Sequence, residues 1–122
     1  MSYHIVPFSV LEQTIKRGAA SNSPQVLYYF LETSEQYAEQ LGISEAYSLY
    51  KRVYQVLLDT VCDASVAMHW RELCLDMIHR PLLQLKSFVI TEQDAQEFFR
   101  LEHELRALSH YFMSSHSARV KQ

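Results

Sequence analysis

The sequence predicts an all-α protein, a compact bundle of about five helices with short connections. Composition is one reason: 48% of the 122 residues are apolar and 20% are charged, while only two are glycine and three are proline. This balance disfavours both a turn-rich β-sandwich and a disordered chain. Periodicity is the other reason, because apolar residues recur every three or four positions through most of the chain. We expect one helical domain over residues 1–114 and a flexible C-terminal tail over residues 115–122.

The first two helices are expected on either side of a linker rich in small residues. The first should cover about residues 8–20. Ser23 is a suitable N-cap for the second, and Pro24 fits the first helical position, where its missing N–H costs nothing. Gly42 should end this helix in the left-handed conformation, which glycine adopts without a Cβ penalty.

The third and fourth helices follow from further capping residues. Ser44 can cap the third helix, whose wide apolar stripe is rich in tyrosine. Asp63 is expected to cap the fourth, and Pro81 must kink or restart the chain, since proline inside a helix removes a hydrogen bond. The segment RPLLQLKSFVI should add a turn or two of helix. The stripe of the third helix comprises Tyr47, Tyr50, Val53, Tyr54, Leu57, Leu58 and Val61.

The fifth helix has the most regular pattern. Thr91 and Asp94 have the spacing of a capping box, which predicts a helix that begins there and ends near residue 114. Apolar side chains then recur at alternating spacings of three and four residues, which is a heptad seam. Such a seam packs either inside the monomer or against another chain. Its members are Phe98, Leu101, Leu105, Leu108 and Phe112.

Aromatic side chains outside any one stripe indicate an exposed binding surface. Tyrosine joins a large apolar ring to a hydroxyl that tolerates water, and it is enriched in protein interfaces for that reason. We therefore expect a small cytoplasmic adaptor or regulator, chaperone-like or anti-activator-like, which binds a protein partner and forms a homodimer through apolar helix faces. The expected interface residues are Tyr28, Tyr29, Tyr37, Tyr47, Tyr50, Tyr54, Phe98, Phe99, Leu101, Leu105, Leu108, Tyr111 and Phe112.

A DNA-binding regulator is the first alternative. The stretch AEQLGIS, with Ala38, Gly42, Ile43 and Ser44, resembles the turn of helix-turn-helix DNA-binding proteins. That resemblance implies an apolar residue six positions after the glycine, where this chain has Ser48. Because one residue rotates a helix by about 100°, the observed stripe would orient the third helix differently. We therefore favour an ordinary corner between two helices, with nucleic acid as the less expected partner.

A metal-binding helical bundle is the second alternative. Four potential ligands on the predicted fourth helix are spaced by three, four and three positions, so they line one side of it. That side lies opposite the apolar one, and we expect it to face solvent without a bound metal. His103 and His110 likewise share a solvent-facing side of the fifth helix. The four residues are His69, Glu72, Asp76 and His79.

Other function classes lack their signatures. The sequence has neither a Gly-x-Ser-x-Gly nucleophile motif nor a glycine-rich phosphate loop, so we expect neither an enzyme nor a bound cofactor. The first residues, MSYHIVPFSV, lack the pattern of an export signal, and no segment has the length to span a bilayer. A cytoplasmic protein without a membrane partner is the expectation. The net charge of -3 opposes attraction to a phosphate backbone.

Overall fold

The computed structural model describes residues 7–114, and these residues form an all-α bundle, as the sequence predicts. No strand occurs within them, and the connections between helices are short. The elements in chain order are α1 Phe8–Arg17, α2 Pro24–Glu39, α3 Ile43–Val61, α4 Met68–Met77, α5 His79–Lys86 and α6 Glu92–Ser109, with a π-helical turn His110–Ser114 at the end. The predicted tail over residues 115–122 lies outside the described residues.

The central element is α3, against which α1, α2, α4 and α5 all pack. Its 19 residues are apolar over a wide arc, and a helix that is apolar on most sides is stable only when neighbours cover it. The largest fully buried side chains come from several helices around this axis. They include Trp70, Tyr54, Phe30, Ile15, Leu27, Leu31, Leu57, Leu58 and Leu85.

The left-handed glycine is Gly18, at the end of α1, where φ is 65° and ψ is 25°. The prediction that Gly42 closes α2 was wrong, because Gly42 has an extended backbone with φ −68° and ψ 168° and is the N-cap of α3. The end of α2 is closed instead by backbone N–H groups of Gln40 and Leu41 bonded to carbonyls of the preceding turn. Ser44 accordingly lies inside the first turn of α3 and is not its cap.

The break between α4 and α5 falls at Ile78, and Pro81 is the third residue of α5. The first N–H groups of a helix have no intrahelical partner, so proline loses nothing there. The expected restart of the chain near Pro81 is confirmed. The predicted cap at Asp63 was wrong: α4 begins only at Met68, and the Asp63 carboxylate accepts hydrogen bonds from the backbone N–H and hydroxyl of Ser65 in the preceding turn.

The capping box at the start of α6 is confirmed. The Thr91 hydroxyl accepts a bond from Asp94 N at 3.0 Å, and the Asp94 carboxylate accepts bonds from Thr91 N and Ile90 N at 3.1 and 3.2 Å. These N–H donors lower the pKa of Asp94. Beyond this cap, α6 is only lightly buried, since Leu101 is the one fully buried residue among its 18.

Polar contacts connect the outer helices to one another and to α3. Arg52 of α3 donates from two nitrogens to the Glu12 carboxylate of α1. The Tyr54 hydroxyl donates to the Leu101 carbonyl of α6 at 2.8 Å, and the Trp70 indole donates to the Ile15 carbonyl at 2.9 Å. No helix within residues 7–114 is both long enough and apolar enough to cross a membrane.

Candidate protein-binding groove

A groove of about 750 Å³ lies between the start of α3, the connection after α5 and the first half of α6. This volume falls within the range of natural binding sites, which are concave and mainly apolar with a few polar groups. The lining residues are Ile43, Ser44, Tyr47, Leu85, Phe88, Val89, Ile90, Gln93, Asp94, Gln96, Glu97, Phe98, Arg100 and Leu101.

The groove exists because the chain turns sharply between α5 and α6. Backbone bonds from Ser87, Phe88 and Val89 to the last turn of α5 hold this connection against the bundle. The Phe88 ring packs against Tyr47, with ring centroids 5.6 Å apart, and against Tyr50 at 6.0 Å. Phe88 therefore forms an aromatic wall in the groove, and α6 begins beyond it.

Two isoleucines lie at the groove with almost no cover from the rest of the protein. Ile90 is 89% exposed and Ile43 is 81% exposed, the highest values for large apolar side chains among the described residues. Ile90 lies just before α6 and Ile43 is the first residue of α3. Apolar side chains that are exposed beside a concave apolar surface are typical of interaction sites.

The polar wall of the groove is held in the charged state. Glu97 accepts two bonds from Arg100, at 2.8 and 3.1 Å, and a third from Lys51 at 3.4 Å. The Arg100 guanidinium is the main cause that lowers the pKa of Glu97 to about 2, and Lys51 adds to it. A general acid or base at neutral pH needs a pKa near 7, whereas Asp94 and Glu97 have lowered pKa values. The groove therefore combines an apolar lining with a wall of ionised carboxylates.

Three of the predicted interface residues are core residues. Tyr50 is 7% exposed, Leu101 3% and Tyr54 1%, so these side chains offer a partner almost no surface. The reason is the position of α3, whose tyrosine-rich face is covered by neighbouring helices on several sides. Burial raises the pKa of Tyr54, and the carbonyl of Leu101 satisfies its hydroxyl.

The other predicted interface residues are exposed or half-buried, and they do not form one surface. Tyr28, Tyr29 and Tyr37 are exposed on α2. Phe99 is exposed on α6, and Tyr111 is exposed on the π-helical turn that follows it. Half-buried positions are Tyr47, Phe98, Leu105, Leu108 and Phe112. Of all the predicted interface residues, three line the groove: Tyr47, Phe98 and the almost fully buried Leu101.

Sequence reasoning missed Ile43, Ile90, Phe88 and Val89. None of them belongs to a helical stripe, because three lie in or beside the connection before α6 and Ile43 lies at the corner before α3. One signal was available: Ile43 and Ile90 are large apolar residues directly beside a predicted turn or cap, where polar residues are usual.

The predicted histidine and carboxylate stripe is divided between α4 and the first residue of α5, His79, and all four side chains face solvent, as predicted. His69 Nε2 lies 3.0 Å from the Ser21 carbonyl and His79 Nδ1 lies 2.7 Å from the Asp76 carbonyl. Within residues 7–114 no group of three or more His, Cys, Asp or Glu side chains is placed to hold a metal ion. Cys74 is a buried free thiol, and burial raises its pKa to about 12.

The corner that resembles a helix-turn-helix precedes a helix whose basic residues are engaged within the protein. Lys51 pairs with Glu97, and Arg52 pairs with Glu12 while its guanidinium lies 5.5 Å from the Phe8 ring. Contacts to phosphate need basic side chains that can reach the nucleic-acid backbone, whereas Lys51 and Arg52 are already paired with carboxylates of this chain.

No protein-family model matches this chain, and neither a curated protein nor a solved structure shows significant similarity to it.

Proposed function

We propose that the protein is an adaptor or regulator that binds an apolar segment of another protein in the groove beside α3 and α6. The observation that carries this proposal is the pairing of a concave apolar lining with the two highly exposed isoleucines, Ile43 and Ile90. A partner that covers both side chains and fills the groove removes a continuous apolar surface from water.

The apolar surface is large enough to matter energetically. Burying one isoleucine side chain contributes about 1.5–3 kcal/mol, so the two together supply roughly 3–6 kcal/mol of gross binding free energy. The groove adds contacts from Phe88, Val89 and Phe98. Association costs at least about 4 kcal/mol in lost translational and rotational freedom. Burial of the two isoleucines alone barely offsets this cost, so the partner must also contact the groove.

The shape favours a segment with apolar side chains on one side, such as an amphipathic helix. Helices lie in apolar grooves by inserting side chains at intervals of three and four residues. The walls are the first turn of α3 and the first half of α6, and their polar residues Ser44, Gln93 and Gln96 can bond to the polar margin of such a segment.

Site-specific photocrosslinking tests this proposal. A photoreactive amino acid at Ile90 should give a discrete adduct in cells, whereas the same residue at Leu83, which is 61% exposed on α5, should not. The protein identified in the adduct, once purified, should bind the wild-type chain. It should bind the Ile43→Asp variant more weakly and the Leu83→Asp variant with unchanged affinity. Equal adducts from both positions, or equal binding by both variants, would refute the groove as the site.

A further inference from the structure

The side of α6 opposite the core exposes polar, charged and aromatic side chains that, apart from Gln96, do not line the groove. Helical geometry turns successive residues by about 100°, so Phe99 points about 200° away from the buried Leu101. Phe99 is 69% exposed. The residues of this side, the outer stripe, are spaced by four and three positions and all are exposed: Glu92, Gln96, Phe99, His103, Arg106 and His110.

Charge changes sign along the outer stripe. Glu92 lies at the amino end and Arg106 lies near the carboxyl end, with Phe99 between them. Within residues 7–114 neither Glu92 nor Arg106 has an ion-pair partner. The flanking residues Ala95 and Ala107 are small and exposed, so another helix can approach this side closely.

We infer that α6 pairs through its outer stripe with α6 of a second copy of this chain, in antiparallel orientation about a two-fold axis. In an antiparallel copy with its His103 against Phe99, His110 lies opposite Glu92 and Arg106 lies opposite Gln96, one helical turn from Glu92. The two-fold axis repeats each contact, as a symmetric dimer requires. In a parallel copy, Glu92 would face Glu92 and Arg106 would face Arg106, and like charges repel.

The weak anchoring of α6 agrees with a role in association. Of its 18 residues only Leu101 is fully buried, although a helix of this length extends about 27 Å. A contact along one helix is smaller than a standard protein interface, so we expect a weak dimer that dissociates on dilution. Apart from Gln96, which lies at the edge of both surfaces, this dimer uses a different side of α6 from the groove, and it does not depend on the proposed function.

Charge reversal tests the pairing in solution. Sedimentation velocity over a dilution series should show a monomer–dimer equilibrium that Phe99→Glu weakens about tenfold or more. Glu92→Arg and Arg106→Glu should each weaken it roughly fivefold, since each change acts at two symmetric contacts between exposed charges. The double variant Glu92→Arg/Arg106→Glu should recover most of the wild-type affinity, while Ile43→Asp in the groove should leave the equilibrium unchanged.

Disulfide trapping tests the orientation. In a Cys62→Ser background, Glu92→Cys protein mixed with His110→Cys protein should form a mixed disulfide, because these positions face each other in the antiparallel pair. Each variant alone should form several-fold less crosslinked dimer. Efficient crosslinking of either variant alone would indicate a parallel pair, and a wild-type protein that stays monomeric at the highest concentration would overturn the inference altogether.

Discussion

Gly18 is the position where one added methyl group should most clearly lower the stability of this fold. Its φ of 65° belongs to the left-handed region, and its N–H closes α1 by bonding to the Ile15 carbonyl at 3.1 Å. A Cβ at this position would lie 2.8 Å from Val66 Cγ1 and 3.5 Å from Trp70 Cδ1. The replacement Gly18→Ala therefore combines backbone strain with a steric clash between the end of α1 and Val66, which lies in the turn before α4.

The magnitude follows from these two contributions. A residue with a Cβ in the left-handed region costs about 1–2 kcal/mol, and forcing an extra methyl group into a packed site costs about 1–3 kcal/mol. We expect Gly18→Ala to lower the free energy of unfolding by roughly 2–5 kcal/mol. For a domain of this size that is a fall in Tm of about 10–20 °C.

Urea and thermal unfolding followed by circular dichroism measure this loss. Gly42→Ala is the matched control, because Gly42 has an ordinary φ of −68° and a Cβ there would meet no atom within 4 Å. Its stability should stay within about 1 kcal/mol of the wild type, since only the weak N-cap preference and chain entropy change. If Gly18→Ala unfolds at the same urea concentration as Gly42→Ala, the reasoning about Gly18 is wrong.

Three further predictions concern α6 and the groove. Tyr54→Phe removes the hydrogen bond to the Leu101 carbonyl and should cost about 1 kcal/mol, with faster amide hydrogen exchange in α6; unchanged exchange would contradict this. The pKa of Glu97 falls from an ordinary 4.5 to about 2 in the fold, so its ionisation stabilises the protein fully above pH 4.5, and this contribution is lost as the pH falls toward 2. Urea unfolding at several acidic pH values should show a shallower pH dependence for Glu97→Gln, and an identical dependence would exclude a role for that ion pair. Ile43→Asp should change stability by less than about 0.5 kcal/mol because the side chain is 81% exposed, yet weaken partner binding at least tenfold in a titration where Leu83→Asp binds normally.

Local sequence signals predicted part of the features that depend on neighbouring residues alone. The capping box of Thr91 and Asp94 and the position of Pro24 were confirmed, whereas the helix ends expected at Gly42, Ser44 and Asp63 were wrong. Each confirmed feature depends on contacts or spacings within a few positions of the chain, where helix geometry leaves little choice.

The tertiary structure alone decided which apolar faces are covered. Periodicity shows that Tyr50, Tyr54 and Leu101 lie on apolar faces, but only the packing of several helices around α3 shows that they are buried. The groove likewise arises where α5, its connection and α6 meet the start of α3, so Ile43 and Ile90 come together from distant parts of the chain. Helical spacing is a local property, whereas burial depends on which element lies opposite, and that is why the sequence by itself determined the helices and the fold decided the surface.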